Sequence, residues 1–299
     1  MWFKNLKIYR LQSGALPSIE QLEQALEKRQ FQPGAANEMQ SIGWISPRED
    51  SGMVYALDGQ LLITMRTEAK LLPATVVNQF MQAKAREIEE QQGFKPGRKQ
   101  LKEIKEQVTD DLLPKAFSQY RDTHVWLDTR NGWLVIDATS DAKCDEVLGL
   151  LAKSVDPFPV SPLYVEQSPA GAMTSWLLDD EAPANFTIDQ DTDLQSTSDS
   201  GAKVRYVRQS VDVADVQKHV QSGKQVTRLA LTWADRVSLV LTEGLEVRRI
   251  TPLDILKEGS DLTQSDAEQF DSYFTLMTGE LSRLLADLVD ALGGERQPI

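Results

Sequence analysis

Residues 123–139 read THVWLDTRNGWLVIDAT, and this stretch decides the fold class. Apolar and β-branched residues lie on both sides of Asn131-Gly132, a pair that is typical of a tight turn between antiparallel strands. A second stretch of this kind, GMVYALDGQLLITMRTE at 52–68, has its turn at Asp58-Gly59. The two hairpins predict an antiparallel sheet at the centre of the fold.

Outward from these hairpins, strands and helices follow one another in mixed order. Further strands are predicted at LKIYRL (6–11) and KVRYVRQ (203–209), and period-two alternation predicts two or three antiparallel strands in VTRLALTWADRVSLVLTEGLEVRRI (226–250). Apolar residues at helical spacing predict helices within 17–31, 140–155 and 272–294, the last ended by Gly293-Gly294. The mixed order predicts an α+β fold, with antiparallel sheets and helices packed on them.

A largely helical insertion separates the two hairpins. One helix is predicted from Thr75 to about Gln91 and a second from Arg98 to Leu112, with GFKPG between them. We expect a helical hairpin that projects from the core. With the proline-rich DPFPVSPLY (156–164) as a boundary, the predicted organisation is a central α+β domain (1–75 and 121–167), a helical tip (76–120) and a C-terminal α+β domain (168–299).

Composition and motifs exclude several classes of protein. One cysteine and two histidines leave no disulfide and make a structural zinc site improbable. No P-loop, dinucleotide-binding or nucleophile-elbow motif is present, so we expect no cofactor. The run DQDTD (189–193) has Leu194 and Ser200 where a calcium loop needs glycine and glutamate, and is interpreted as a solvated acidic loop. Without a signal peptide or a membrane-spanning stretch, a soluble cytoplasmic protein is expected.

Charge is unevenly distributed along the chain. The formal net charge is −13, yet FKPGRKQLKEIK (94–105) holds five cations, and 203–249 holds nine lysines and arginines against five acids. Acidic residues concentrate in 179–199 and 254–295. Two separate basic windows favour contacts with phosphates, which set affinity without reading sequence. The candidates from charge alone are Lys95, Arg98, Lys99, Lys102, Lys105 and Arg205. A plain solvated helix remains an alternative for 98–112.

Several long stretches carry a resemblance to a known family: MWFKNLKIYRL (1–11), LLPKAFSQY (112–120), WLDTRNGWLVID (126–137), GKQVTRLALTW (223–233) and FDSYFTLMTGELSRLLADLVDALGGE (270–295). Along essentially its whole length the chain resembles the bacterial recombination-associated protein RdgC family. The resemblance implies a non-enzymatic DNA-binding protein that forms a ring-shaped homodimer with a basic central hole. It also implies binding of double- and single-stranded DNA without sequence specificity, antagonism of RecA and association with the nucleoid.

The resemblance also assigns individual residues. In LLPKAF, it implies that Lys115 contacts DNA and that Phe117 lies at the dimer gate, with a core aromatic as the alternative for Phe117. In KVRYVRQ, it implies DNA contacts for Arg208 and Gln209. Val207 stands where the family often has a second cation.

Two other functions remain open. A regulator of recombination could dock on RecA through the acidic segment 179–199, with little direct affinity for DNA. A hydrolase would instead require a deep pocket with coupled carboxylates.

Overall fold

The computed structural model describes residues 2–12, 16–49, 51–198, 201–256 and 265–296. The strands are β1 (Leu6–Leu11), β2 (Gln40–Ile45), β3 (Tyr55–Leu57), β4 (Gln60–Lys70), β5 (Ser118–Asp128), β6 (Trp133–Ile136), β7 (Val160–Pro162), β8 (Phe186–Ser196), β9 (Lys203–Tyr206), β10 (Lys224–Trp233), β11 (Val237–Thr242) and β12 (Glu246–Pro252). The α-helices are α1 (Ile19–Glu27), α2 (Ala74–Gln92), α3 (Arg98–Leu112), α4 (Asp141–Ser154), α5 (Pro169–Asp179), α6 (Val213–Gln221) and α7 (Asp266–Ala291). This is the α+β class that the hairpins predict. No helix in the described ranges is both long and apolar enough to cross a membrane.

All twelve strands form one antiparallel sheet, and β1 is the strand that joins its two halves. The order is β2-β4-β5-β6-β1-β12-β11-β10-β8-β9, with β3 on β4 and β7 on β1. β1 pairs with β6 over four residues, but its register with β12 covers only Leu6↔Val247 and Lys7↔Glu246. The backbone pairing therefore continues across the proposed boundary near residue 168, and the division into domains stays a prediction.

Alternation along the strands divides the core between the two faces of the sheet. On β4, Leu62 belongs to one hydrophobic cluster, whereas Ile63 and Met65 belong to another. The first cluster includes the buried side of α7 and residues of α5, and the second includes residues of α1 and α4. Because successive strand residues point to opposite faces, helices cover both faces of the first half of the sheet.

The predicted helix ends follow local capping chemistry. Ser18 and Ser265 each cap a helix, and the side chain three residues later reaches back to the capping backbone, which is the capping-box arrangement. Gly293 and Gly294, at φ 84° and 95°, follow the C-terminal end of α7 as predicted. α7 begins at Asp266, earlier than its apolar pattern indicates, because the capping box adds a polar first turn.

The two predicted turns differ in type. Asp58 and Gly59, at φ 51° and 75°, form a two-residue connection between Leu57 and Gln60. The other connection is longer, since Asp128 pairs with Trp133 across four loop residues. The buried Asp128 carboxylate accepts hydrogen bonds from the backbone N–H groups of Arg130 and Asn131 at 3.0 Å each, which fixes this loop.

The helices α2 and α3 pack on each other through a small apolar cluster of their own. Val77, Ile104 and Val108 are buried there. The predicted bounds of α3 are confirmed, and its apolar face lies against α2. Lys84 and Asp111 add an ion pair between the helices at 3.7 Å.

Candidate nucleic-acid interface

In the second half of the sheet, α5, α6 and α7 cover one face, while the other face carries a long groove. Three adjoining clefts, of about 630, 230 and 660 Å³, share residues at their borders and so form one continuous depression. We call it the arginine groove. Its charged lining residues are Asp189, Asp191, Asp193, Lys203, Arg205, Arg208, Arg228, Glu243, Glu246, Arg248 and Arg249.

Strand alternation places most of these side chains on the groove side, and a register shift between β11 and β12 lets the adjacent Arg248 and Arg249 both line it. On β10, Leu229 and Leu231 point into the core, and the small Ala230 points to the groove. On β9, Lys203 and Arg205 are exposed while Val204 and Tyr206 are half-buried, as the alternation predicts. A flat, wide depression results, which can accept an extended ligand.

Asp193 lies at the centre of the groove and bridges two arginines. Its carboxylate accepts two hydrogen bonds from Arg205, from Nε and Nη2, at 2.9 Å each. Nη1 of Arg228, reaching across from β10, lies 3.6 Å from Asp193 Oδ2. The hydrogen bonds that Arg205 donates to Asp193 raise the pKa of Arg205 above its ordinary value.

Asp191 organises the neighbouring part of the groove. Its Oδ1 accepts the backbone N–H of Arg208 at 2.8 Å, and its Oδ2 lies 3.8 Å from Arg249 Nη1. Arg208 and Arg249 both adopt left-handed backbone conformations, with φ 52° and 54°. For residues with a Cβ such conformations cost free energy and are often retained at functional sites.

The far end of the groove meets the N-terminus of α4. Arg248 donates to Glu246 at 2.8 Å and to the Thr139 carbonyl at 3.0 Å. Lys7 Nζ also contacts Glu246, at 2.8 Å, and Asp141. Burial alone would lower the pKa of Lys7, but the two carboxylates outweigh burial and raise it. Lys7 and Arg248 therefore stand at this end as cations that are paired with the carboxylates of Glu246 and Asp141.

The charge map along the sequence does not carry over to the folded chain. The run 189–193 is part of strand β8, between β9 and β10, and its interpretation as a solvated loop is wrong. Its acids pair with the basic window, because strand pairing brings Asp193 next to Arg205. Asp199 and part of 254–295 lie outside the described residues.

Part of the basic window at 94–105 lies where positive charge destabilises helix α3. All five cations from Lys95 to Lys105 are exposed, and Lys102 forms an ion pair with Glu106 at 3.7 Å. Arg98 and Lys99 occupy the first turn of α3, which contains no acidic residue. A helix N-terminus carries partial positive charge, so cations there are unfavourable. The stability of α3 therefore does not explain the presence of Arg98 and Lys99 in its first turn.

Lys115 and Phe117 lie just before the start of β5. Both are exposed, and the 83% exposure of Phe117 excludes the core-aromatic alternative. The Phe117 carbonyl accepts the backbone N–H of Leu71 at 2.7 Å. Leu71 and Met39 nearby are about half exposed, so the end of the sheet carries exposed apolar side chains. The gate role of Phe117 stays a prediction.

The predicted residues form separate groups in one chain. Arg205, Arg208 and Gln209 lie on or beside β9, with the Gln209 N–H donating to the Gln190 carbonyl at 3.2 Å. Seven strand spacings separate β5 from β9 in the sheet, which is roughly 34 Å at about 4.8 Å each. Lys115 is therefore not part of the arginine groove.

Sequence reasoning missed three groove arginines as site residues: Arg228, Arg248 and Arg249. The signal was present in the alternation, since Arg228 precedes the buried Leu229 and Arg248 follows the buried Val247. Each arginine looked unremarkable by itself because the strand order was unknown.

The histidines make structural contacts. His124 Nδ1 lies 2.9 Å from Thr64 Oγ1, and burial lowers the pKa of His124. His219 Nε2 lies 2.9 Å from the Tyr206 hydroxyl, linking α6 to β9. In the described part of the chain, no group of three or more His, Cys, Asp and Glu side chains is arranged to hold a metal ion.

Comparison with known proteins gives a consistent result along the whole chain. A family model described as "Putative exonuclease, RdgC" matches residues 1–295. Three similar proteins, each named "Recombination-associated protein RdgC", come from Bordetella parapertussis (64% identity over 298 residues, 99% of this chain and 100% of the relative), Janthinobacterium sp. strain Marseille (60% over 296 residues, 99% of each) and Burkholderia ambifaria (56% over 297 residues, 99% and 97%). The chain belongs to the RdgC family.

Proposed function

We propose that this protein binds double- and single-stranded DNA without sequence preference and so restrains RecA-promoted recombination. The observation that carries the proposal is the arginine groove, in which cations from three strands (β9, β10 and β12) and one loop line a single open sheet face. A row of guanidinium groups suits a phosphate backbone, because arginine pairs with phosphate through two hydrogen bonds. The name of the relatives, recombination-associated protein, supports the same conclusion.

The binding is proposed to be independent of sequence. The groove offers cations on a wide surface, and contacts to phosphates position a nucleic acid without identifying its bases. Association with the nucleoid in the cytoplasm follows from such binding, and no cofactor or catalytic step is part of the proposal.

A ring-shaped homodimer would connect the separate groups of predicted residues. Two-fold symmetry doubles every cation that faces a shared hole. In this arrangement α2 and α3 project as a helical tip (76–120), and their basic window with Lys115 extends the surface begun by the groove. Phe117 and its apolar neighbours Leu71 and Met39 are proposed as the gate between the two copies, since exposed apolar clusters mark contact surfaces.

The test is fluorescence anisotropy of a labelled duplex of random sequence, titrated with the protein across a salt series. Each phosphate contact contributes a log–log slope of about −0.9. The slope is expected to be steep and equal for unrelated sequences. The double variant Lys115→Glu with Arg208→Glu should abolish binding, whereas Lys28→Glu, at an exposed position outside the predicted site, should retain it.

RecA-promoted strand exchange separates the proposal from a protein-interaction role. We expect the wild-type protein to inhibit strand exchange. The Lys115→Glu/Arg208→Glu variant should lose this inhibition together with DNA binding. Inhibition that survives the loss of DNA binding would favour direct docking on RecA. Incubation of the labelled DNA with the protein and Mg²⁺ tests the exonuclease description of the family model, and we expect DNA of unchanged length.

A further inference from the structure

The pairing of Asp193 in the arginine groove is uneven. Arg205 makes two hydrogen bonds of 2.9 Å to the carboxylate, whereas Arg228 stands at 3.6 Å, beyond hydrogen-bond distance. The Nε of Arg228 is buried and has no partner within the described structure. The Asp193 carboxylate thus accepts two hydrogen bonds from Arg205 and none from Arg228.

The two arginines also differ in exposure. The Arg205 side chain is 62% exposed on the edge strand β9, and that of Arg228 is 30% exposed on the inner strand β10. Arg205 can therefore turn away from Asp193 toward a ligand in the groove, but Arg228 is held beside the carboxylate by the strands around it.

A DNA phosphodiester has the same charge as a carboxylate and accepts the same two-bond pairing from arginine. If Arg205 moved to a phosphate, Asp193 would lose its bonded partner while only 19% exposed. A buried carboxylate without a partner is costly. Arg228 removes that cost, because a small shift closes the remaining gap to Asp193.

Resting on the DNA binding proposed above, we propose that Arg205 exchanges between the Asp193 carboxylate and a DNA phosphate. Asp193 and Arg228 are the positioning residues for this exchange. Without DNA, Asp193 occupies Arg205 in place of a phosphate. On binding, Arg205 transfers to a backbone phosphate and Arg228 takes over Asp193. Asp193 thereby weakens the affinity for DNA, and Arg228 limits that weakening.

The first test removes the competing carboxylate. Asp193→Asn should tighten binding of the labelled duplex by about two- to fivefold, the range expected for releasing one partly exposed ion pair. Glu243→Gln is the matched control, because Glu243 lines the same groove without an arginine partner in the described ranges. The control removes the same charge and should change affinity by less than the Asp193 variant.

The second test is a double-mutant cycle. Arg228→Gln should weaken binding in the wild-type background, because Asp193 then depends on Arg205 alone, and it should have little effect together with Asp193→Asn. Arg228→Lys, which keeps the charge, should bind nearly as the wild type does. Thermal unfolding of each variant confirms that the fold is retained before affinities are compared.

Three outcomes overturn the exchange. These are weaker binding by Asp193→Asn than by wild type, equal affinities of Asp193→Asn and Glu243→Gln, and the same effect of Arg228→Gln in both backgrounds. The last result would make Arg228 an ordinary phosphate contact. Failure of the wild-type protein to bind the duplex at low salt would refute the DNA-binding proposal instead, so the two failures are distinguishable.

Discussion

Replacing Arg98 and Lys99 with glutamine removes two positive charges from the first turn of α3. Both side chains are exposed, the N-cap is Gly97 without a capping side chain, and the first turn contains no acidic residue. Each cation opposes the helix dipole by about 0.3–0.5 kcal/mol at an exposed position. The double variant should therefore stabilise α3 by about 0.6–1 kcal/mol.

The same change should weaken DNA binding if the window is a phosphate track. Two lost contacts lower the steepness of the log–log salt dependence by about 1.8 per chain. The double variant is thus expected to raise the stability of α3 and to lower the affinity for DNA. A more stable helix accompanies weaker binding, which is the pattern expected of residues retained for function at a cost in stability.

Amide hydrogen exchange within α3 measures the first effect locally, since α3 packs mainly on α2 and opens with it. The expected stabilisation slows exchange by about three- to fivefold. Anisotropy across a salt series measures the second effect. Lys105→Gln, in the middle of the same helix, is the matched control and should weaken binding without slowing exchange. Slower exchange with an unchanged salt slope would refute the contacts of Arg98 and Lys99 with DNA phosphates and identify α3 as a solvated helix.

Three further predictions concern other parts of the molecule. Arg236→Met removes two hydrogen bonds of 2.8 Å to the buried Glu280 carboxylate, which keeps its ion pair with Arg283 at 3.5 Å. The loss of two hydrogen bonds to a charged group should cost about 3 kcal/mol in urea unfolding, and a cost below about 1 kcal/mol would contradict this. Burial lowers the pKa of His124 from 6.5, so the fold is most stable with His124 neutral and loses stability as the pH falls below that value. His124→Gln should therefore flatten the profile of unfolding free energy between about pH 7 and 5. Under the proposed dimer gate, Phe117→Ser should leave the unfolding free energy within about 0.5 kcal/mol of wild type and shift the proposed dimer toward monomer in sedimentation. Sedimentation identical to that of the wild type would exclude the gate.

Local signals predicted those elements whose ends are fixed by neighbouring residues. The bounds of β1 and α3 agree with the sequence pattern, and Asp58-Gly59 gave the correct turn because both residues tolerate positive φ. The strand β8 was missed, since a run of acids becomes a strand only when β9 and β10 supply arginines from distant positions.

The candidate site was predictable only in part for the same reason. Alternation placed Lys203 and Arg205 on one face of a strand, which the structure bears out. The choice of Arg228 and Arg249 depended on knowing that β10 and β12 lie on the two sides of β11. Long-range pairing of this kind leaves no signal within a short window of sequence.

The position of β1 has a consequence for synthesis of the protein on the ribosome. β1 pairs with β12, whose residues follow roughly 240 positions later along the chain. At about 5–20 residues per second, β12 is translated roughly 12–48 s after β1. Throughout that interval the backbone groups of Leu6 and Lys7 on one edge of β1 stay unpaired, since β7 covers only Tyr9, Arg10 and Leu11, and they offer a template for wrong pairing. A chaperone that shields nascent β1 should therefore raise the yield of folded protein, and slower translation should increase the demand for that chaperone.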